Sequence, residues 1–287
     1  MIGTLVVTYG SALLTNFTRH TFVLASSIML PAILMAIIGL VDDIKQLSPW
    51  PRFVAQNFLA LIATSILIVT NTMGAPFGIP LIDFLVTVIW LVGITNSVNF
   101  LDNIDGGASG TIAITSLALA LIAFINGQTL ITAMSIVLGG ATMGFLLWNK
   151  PPARIYMGDA GALFLGILIA SLTIRLDSSQ ALGRYGLLVP VLLLAMPILD
   201  TSVAVIKRVR RGVSPFQGGR DHLSHRLMRL GLKKRSTVML LWLTSGIFSI
   251  FAIGISVNLY GLMLLLALLS IVFWLLLLIF FLKTRDE

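Results

Sequence analysis

Apolar residues run through this chain in blocks of about 17 to 22 positions, the length that crosses a bilayer core as a helix. Short junctions rich in Gly, Pro, Asn and Asp separate them. The blocks predict ten membrane-spanning helices, near residues 1–16, 22–41, 53–70, 81–100, 108–126, 129–148, 160–176, 186–206, 237–257 and 261–282. Ten spans put both termini on one side. The first block is short and begins at the initiator methionine without a basic leader, so it reads as a membrane helix rather than a signal peptide.

Composition agrees with the pattern: 57% of residues are hydrophobic, 10% are charged and the mean hydropathy is +1.02, which excludes a soluble globular domain. The expected fold class is all-α, a single polytopic integral membrane domain over residues 1–287 that includes the polar loop 207–236. With the N-terminus inside, Lys45, Arg52, Lys150, Arg154, the basic residues from Lys207 to Arg235, Lys283 and Arg285 all face the cytoplasm. Of the 19 Lys and Arg residues only Arg19, Arg175 and Arg184 fall outside, as the positive-inside rule requires. The chain is therefore expected in the plasma membrane as a multi-pass protein. A net charge of +8 then reflects loops against anionic lipid and anionic ligands, and no nucleic-acid partner is expected. The absence of cysteine removes a disulfide framework, a thiolate metal site and a thiol nucleophile.

The acids fall on the same predicted face as the bases, with only Asp83 and Asp177 opposite. An ionised side chain in the bilayer centre costs roughly 2.5–3.5 kcal/mol, so such acids need a shared wet cavity, and a bound cation would offset their repulsion. The densest polar run is Asn96 to Gly110, where Asn96, Asn99, Asp102 and Asp105 recur every third residue. On a helical end this makes a cluster of oxygen ligands, and the glycines after it let backbone approach a ligand; the alternative is a polar loop between two spans. Asp42 and Asp43 end the second block. They point about 100° apart, one toward a cation and the other toward a lysine or amide, or both are simply solvated. Asn149 to Gly161 places Asp159 at a helix N-terminus, a place for phosphate and a divalent ion or for a plain helix cap. Asp200, in the last turns of the eighth block, either reaches the pocket or pairs with Lys207 or an arginine. In the long polar loop, His222 and His225 would share a short helix with Arg226, while Arg220 offers a fork for phosphate. Two histidines do not complete a zinc site, and Lys233, Lys234 and Arg235 fit a lipid-headgroup contact.

Four motifs in this order, Gly39–Pro49, Asn96–Gly110, Asn149–Gly166 and Pro215–Leu227, resemble those of the polyprenyl-phosphate N-acetylhexosamine-1-phosphate transferases, the glycosyltransferase family of the WecA/TagO and MraY enzymes. The Ser214-Pro-Phe and Arg-x-His stretch is similar to the WecA/TagO branch. The resemblance implies transfer of GlcNAc-1-phosphate from a UDP-sugar to undecaprenyl or another polyprenyl phosphate, with release of UMP, at the start of cell-envelope glycan synthesis. It implies Mg²⁺ as cofactor, with Mn²⁺ as a substitute, held by Asp159 and Asp102. Asp42 is then the candidate base or nucleophile-positioning acid with Asp43 beside it, and Asn96, Asn99, Asp102 and Asp105 organise metal and donor. Arg220, His222 and His225 neutralise the diphosphate. The expected partners are the bilayer, the UDP-sugar and the polyprenyl phosphate, with a homodimer left open. Two departures accompany the resemblance. The family's further N-terminal helix and basic loop have no counterpart before Met1, and a loop that commonly reads His-x-His-His has Ser224 in place of its middle histidine. An ion-coupled transporter, whose acids should lie at midplane, and a shortened inactive homologue are the alternatives.

Overall fold

The computed structural model describes residues 19–70, 77–176, 187–215, 219–257 and 261–284, and every regular element among them is a helix. In chain order these are α1 (Arg19–Lys45), α2 (Pro49–Val69), α3 (Pro80–Leu101), α4 (Gly107–Ile125), α5 (Thr129–Asn149), α6 (Gly158–Thr173), α7 (Leu188–Leu193), α8 (Ala195–Arg210), α9 (Leu223–Arg229), α10 (Lys234–Ser256) and α11 (Met263–Lys283). Seven of them, α1 to α5 with α10 and α11, are long and apolar enough to span a membrane. The protein is thus an all-α, multi-spanning membrane protein. The expected span at 1–16 lies outside the described residues.

Two expected spans take a different form. The block at 160–176 is α6, whose 16 residues rise only about 24 Å, short of a hydrocarbon core of about 30 Å. Every residue from Ala162 to Thr173 is buried, as in a helix that is apolar all round and encased by its neighbours. α11 is the opposite case, with Ser270 and Phe281 its only buried residues, and it presents its apolar surface outward.

The block at 186–206 is not one helix. It breaks at Leu194 (φ −107°, ψ 17°) into α7 and α8, because Pro197 has no N–H to donate to the Leu193 carbonyl one turn earlier. Thr115 Oγ1 donates to that carbonyl at 3.1 Å, and Trp274 Nε1 donates to Ala195 O at 3.2 Å. The freed carbonyl is thereby satisfied from α4, as an apolar surrounding demands, and α11 adds a bond at the first residue of α8.

The closest packing is between α1 and α6. A Cβ on Gly39 would stand 2.4 Å from the carbonyl oxygen of Asp159, so only glycine lets the two backbones meet there. The alternation of helix directions brings the C-termini of α1, α3, α5, α8 and α11 to one end of the bundle with the N-termini of α2, α4, α6 and α10. Contacts at that end include Asp43 with Asp159, Asn149 with Gly106, and Lys207 with Thr284. All four sequence motifs meet there.

Candidate active site

At that end, Arg52 on the first turn of α2 lies between two carboxylates from different helices. Its Nη1 donates to Asp42 Oδ2 at 2.6 Å and reaches Asp159 Oδ2 at 3.3 Å. Asp42 is buried at 5% exposure, and its other oxygen accepts the Leu47 N–H at 2.8 Å, so both of its oxygens are engaged. Asn99 Nδ2 donates to Asp159 Oδ1 at 2.5 Å. Asp159 therefore sits between an amide and a guanidinium at the mouth of α6.

Asp43 does something separate. Its Oδ1 accepts the Asp159 N–H at 2.8 Å and its Oδ2 accepts the Ala160 N–H at 3.0 Å, satisfying two of the four orphan donors that begin any helix. The cap on α6 thus comes from α1. Asp159 does not cap its own helix. Gly158, at φ +65°, gives the turn its sense, and a Cβ there would stand 2.7 Å from Asp43 Oδ2, so the close approach also requires glycine.

The every-third-residue run divides three ways. Asn96 Nδ2 donates to Gln56 Oε1 at 2.7 Å and to Val92 O at 2.8 Å, tying α3 to α2. Asn99 and Asp102 face the Asp159 side, whereas the helix ends at Leu101 and Asp105 lies beyond it. Asp105 Oδ2 accepts Lys234 Nζ at 2.8 Å and the Ala153 N–H at 3.0 Å. Burial acts to raise the Asp105 pKa, but those two hydrogen bonds and the lysine charge outweigh it and hold the carboxyl below its usual range. Asp102 donates its backbone N–H to Asn99 O at 3.2 Å, and its carboxyl is pushed up to about 7 by burial and by the charges of Asp159, Asp105 and Asp43. Asn149 joins the cluster through Gly106 N–H at 3.0 Å and Ser109 Oγ at 2.8 Å.

In the histidine loop, His222 stands at the N-terminus of α9, buried, with Nδ1 2.7 Å from Asp200 Oδ2 and Nε2 3.3 Å from Arg208 Nη2. Asp200 also accepts the Leu223 N–H at 2.7 Å, and so pairs with the loop. The His222 ring meets Phe100 of α3 edge-on at 5.5 Å, and Ser224 Oγ hydrogen-bonds Asn103 Oδ1. The loop is thereby fastened beside the α3 end that carries Asn99 and Asp102. His225 is half-buried, and burial together with His222, Arg220 and Arg229 holds its pKa below the ordinary histidine value. Arg220 is exposed. Arg226 does not share the histidine face, for it turns inward to Asp221 O and Thr284.

Sequence reasoning did not single out Arg52, Gln56 or Arg208, and it left Asp200 unassigned. Arg52 directly precedes the expected start of its span, where a cation is as readily an interfacial anchor. For a divalent ion, the donor set is suitable. No three acidic or histidine side chains converge on one point among the described residues, yet Mg²⁺ takes only one or two carboxylates and completes its shell with water and substrate phosphate. Asp159 and the buried Asp102, whose charge the neighbouring carboxylates disfavour, match that requirement. Beside them an apolar cavity of about 420 Å³ runs between α1, α5 and α6, lined among others by Ile37, Leu40, Phe145 and Phe164, and it reaches Ala160 next to Asp159.

Comparison with known proteins matches residues 25–177 to the family model described as glycosyl transferase family 4. A probable undecaprenyl-phosphate N-acetylglucosaminyl 1-phosphate transferase of Bacillus subtilis is 34% identical over 257 residues, covering 88% of this chain and 70% of that protein. A decaprenyl-phosphate N-acetylglucosaminephosphotransferase of Mycobacterium leprae is 31% identical over 280 residues, 86% of this chain and 69% of the relative. A phospho-N-acetylmuramoyl-pentapeptide-transferase of Streptococcus thermophilus is 32% identical over 201 residues, 63% of this chain and 59% of the relative. With its acids, amides and short central helix gathered at one end of the bundle, the chain belongs to glycosyl transferase family 4, among the polyprenyl-phosphate N-acetylhexosamine-1-phosphate transferases.

Proposed function

We propose that the protein transfers GlcNAc-1-phosphate from UDP-GlcNAc to undecaprenyl phosphate at the cytoplasmic face, releasing UMP and starting a cell-envelope glycan. The observation that carries this reading is the apolar cavity ending at Ala160, beside Asp159 with its Arg52 and Asn99 partners. It joins a channel for an isoprenoid tail to a polar head site. The Bacillus and Mycobacterium relatives, named for GlcNAc-phosphate transfer, favour that donor.

In the reaction an oxygen of the acceptor phosphate forms a bond to the β-phosphorus of the donor as the bond from that phosphorus to the UMP oxygen breaks. A phosphate monoester has its second pKa near 6, so the acceptor is largely dianionic at pH 7 and little is gained by a general base. Catalysis then consists of bringing two anions together. Asp159 and Asp102 would hold Mg²⁺, which would supply positive charge at the diphosphate. Asn99 fixes the Asp159 carboxylate. Asp42 orients Arg52 toward the acceptor, and Asp43 acts by capping α6. Asp105 secures the 149–154 loop through Ala153 and Lys234, and Asn96 keeps α3 in register with α2. Arg220 and His225 meet the donor diphosphate, with His222 bracing their loop against Asp200.

Purified protein incubated with undecaprenyl phosphate, Mg²⁺ and a panel of UDP-sugars should release UMP with UDP-GlcNAc above all others. No UMP from any donor, with the protein folded, would remove the reading. For orientation, single cysteines at Ser48 and Gly212 should resist an impermeant label applied outside intact cells.

A further inference from the structure

The junction between α5 and α10 carries a second concavity at the same end of the bundle. It encloses about 470 Å³ and is lined by Leu147, Trp148, Lys150, Arg154 and Arg235 with the Pro151-Pro152 turn. No acidic residue lines it. Among the described residues no carboxylate pairs with Lys150, Arg154 or Arg235, in contrast to Lys234 next door, which is held by Asp105 at 2.8 Å.

The cations are not loosely scattered. Arg235 Nε donates to Pro151 O at 3.1 Å, which anchors the arginine to the turn. Arg154 lies over the Trp148 ring at 5.6 Å, a cation–π contact that draws it toward the indole. The Arg154 N–H donates to Trp148 O at 2.8 Å, fixing the turn that brings it back. Leu147 and Trp148 are 65% and 53% exposed on the last turn of α5, a spanning helix, where an exposed tryptophan marks the headgroup level.

We propose that this cleft binds the phosphate of an anionic membrane phospholipid, such as phosphatidylglycerol. A soluble anion would need only the cations. An amphiphile also accounts for the exposed Leu147 and Trp148 at the rim, with its head among Lys150, Arg154 and Arg235 and its chains descending along α5. The site is distinct from the acid cluster, but the two share a loop, since Ala153 between these cations donates to Asp105.

The test uses the purified protein in bilayers containing brominated phosphatidylglycerol or brominated phosphatidylcholine, reading Trp148 as the fluorescence difference between the parent and Trp148→Phe. Phosphatidylglycerol should quench Trp148 in preference to phosphatidylcholine. Arg154→Gln with Arg235→Gln should weaken that preference about 25-fold, from about fivefold per cation near the surface. Arg154→Lys with Arg235→Lys, which keeps the charges, should retain most of it and control for folding. Equal quenching by the two lipids, or a preference unchanged in the double glutamine variant, would overturn the proposal. Displacement of phosphatidylglycerol by millimolar inorganic phosphate or UDP would also overturn it, by making the cleft a soluble-anion site.

Discussion

Asp159→Asn separates electrostatics from structure at the mouth of α6. The replacement is nearly isosteric, and its amide oxygen can keep the Asn99 donor now 2.5 Å away. The cap on α6 is untouched, since Asp43 rather than Asp159 accepts the first N–H groups. What is lost is the contact with Arg52 at 3.3 Å, to a carboxylate about a third exposed. A pair so placed is screened by solvent and contributes less than about 1 kcal/mol to folding, while Arg52 keeps Asp42 at 2.6 Å. The variant should therefore unfold within a few degrees of the parent. Turnover is another matter. Removing one preorganised electrostatic group from a phosphoryl-transfer site forfeits on the order of 3 kcal/mol, a rate loss of about a hundredfold. UMP release from UDP-GlcNAc, followed across a Mg²⁺ titration, should show that loss with partial recovery at high Mg²⁺ or with Mn²⁺. A parent-like rate with parent-like metal dependence would refute the reasoning and move the metal to Asp42, Asp43, Asp102 or Asp105.

Three further perturbations test other parts of the arrangement. Gly39→Ala puts a Cβ 2.4 Å from the Asp159 carbonyl, so it should destabilise by about 1–3 kcal/mol as overpacking does and reduce turnover as well; an unaltered melting temperature would mean the helices separate freely. Arg220→Ala, at an exposed position, should raise KM for UDP-GlcNAc without shifting thermal stability, and unchanged kinetics would take this arginine out of the donor site. His225 is held below its ordinary value of 6.5, so the unfolded chain takes up its proton first as pH falls. Its contribution is intact above about pH 6.5 and is lost as pH drops through the lowered folded value. The thermal stability of His225→Gln should accordingly fall less between pH 7 and pH 5 than that of the parent, and parallel profiles would contradict this.

Seven of the ten expected spans were legible among the described residues, because apolar blocks of bilayer length have few other uses, and the alternation of those helices gathers the motifs at one end. The α7–α8 break was not, although Pro197 was in view. A proline within an apolar block can kink a helix or end it, and the outcome depends on whether a donor such as Thr115 arrives from another helix to satisfy the orphaned Leu193 carbonyl. The divergent headings of Asp42 and Asp43 could be read from the helical angle between neighbours. Their partners could not, since Arg52 and the α6 backbone come from elsewhere in the chain. The run from Asn96 to Asp105 was legible as polar clustering, but its division was not, because the helix stops at Leu101 and Asp105 turns to Lys234. His222 carried a signal for function in its loop, but nothing in the sequence paired it with Asp200, 22 residues away.

Because the first N–H groups of α6 are satisfied by a carboxylate on α1, the relative height of these two helices is fixed at the proposed reaction centre. α1 leaves Leu30, Ile37 and Leu40 about half exposed, whereas α6 is enclosed from Ala162 to Thr173. A bilayer too thick or too thin for its proteins is met by helix tilt, and the more exposed α1 would respond before α6. Sliding by half a helical turn, about 2.7 Å, would break both Asp43 hydrogen bonds and turn Asp159 away from Asn99. Catalysis would then report on membrane thickness, with a maximum in turnover across bilayers of graded acyl length, and a flat profile would show that α1 and α6 move together.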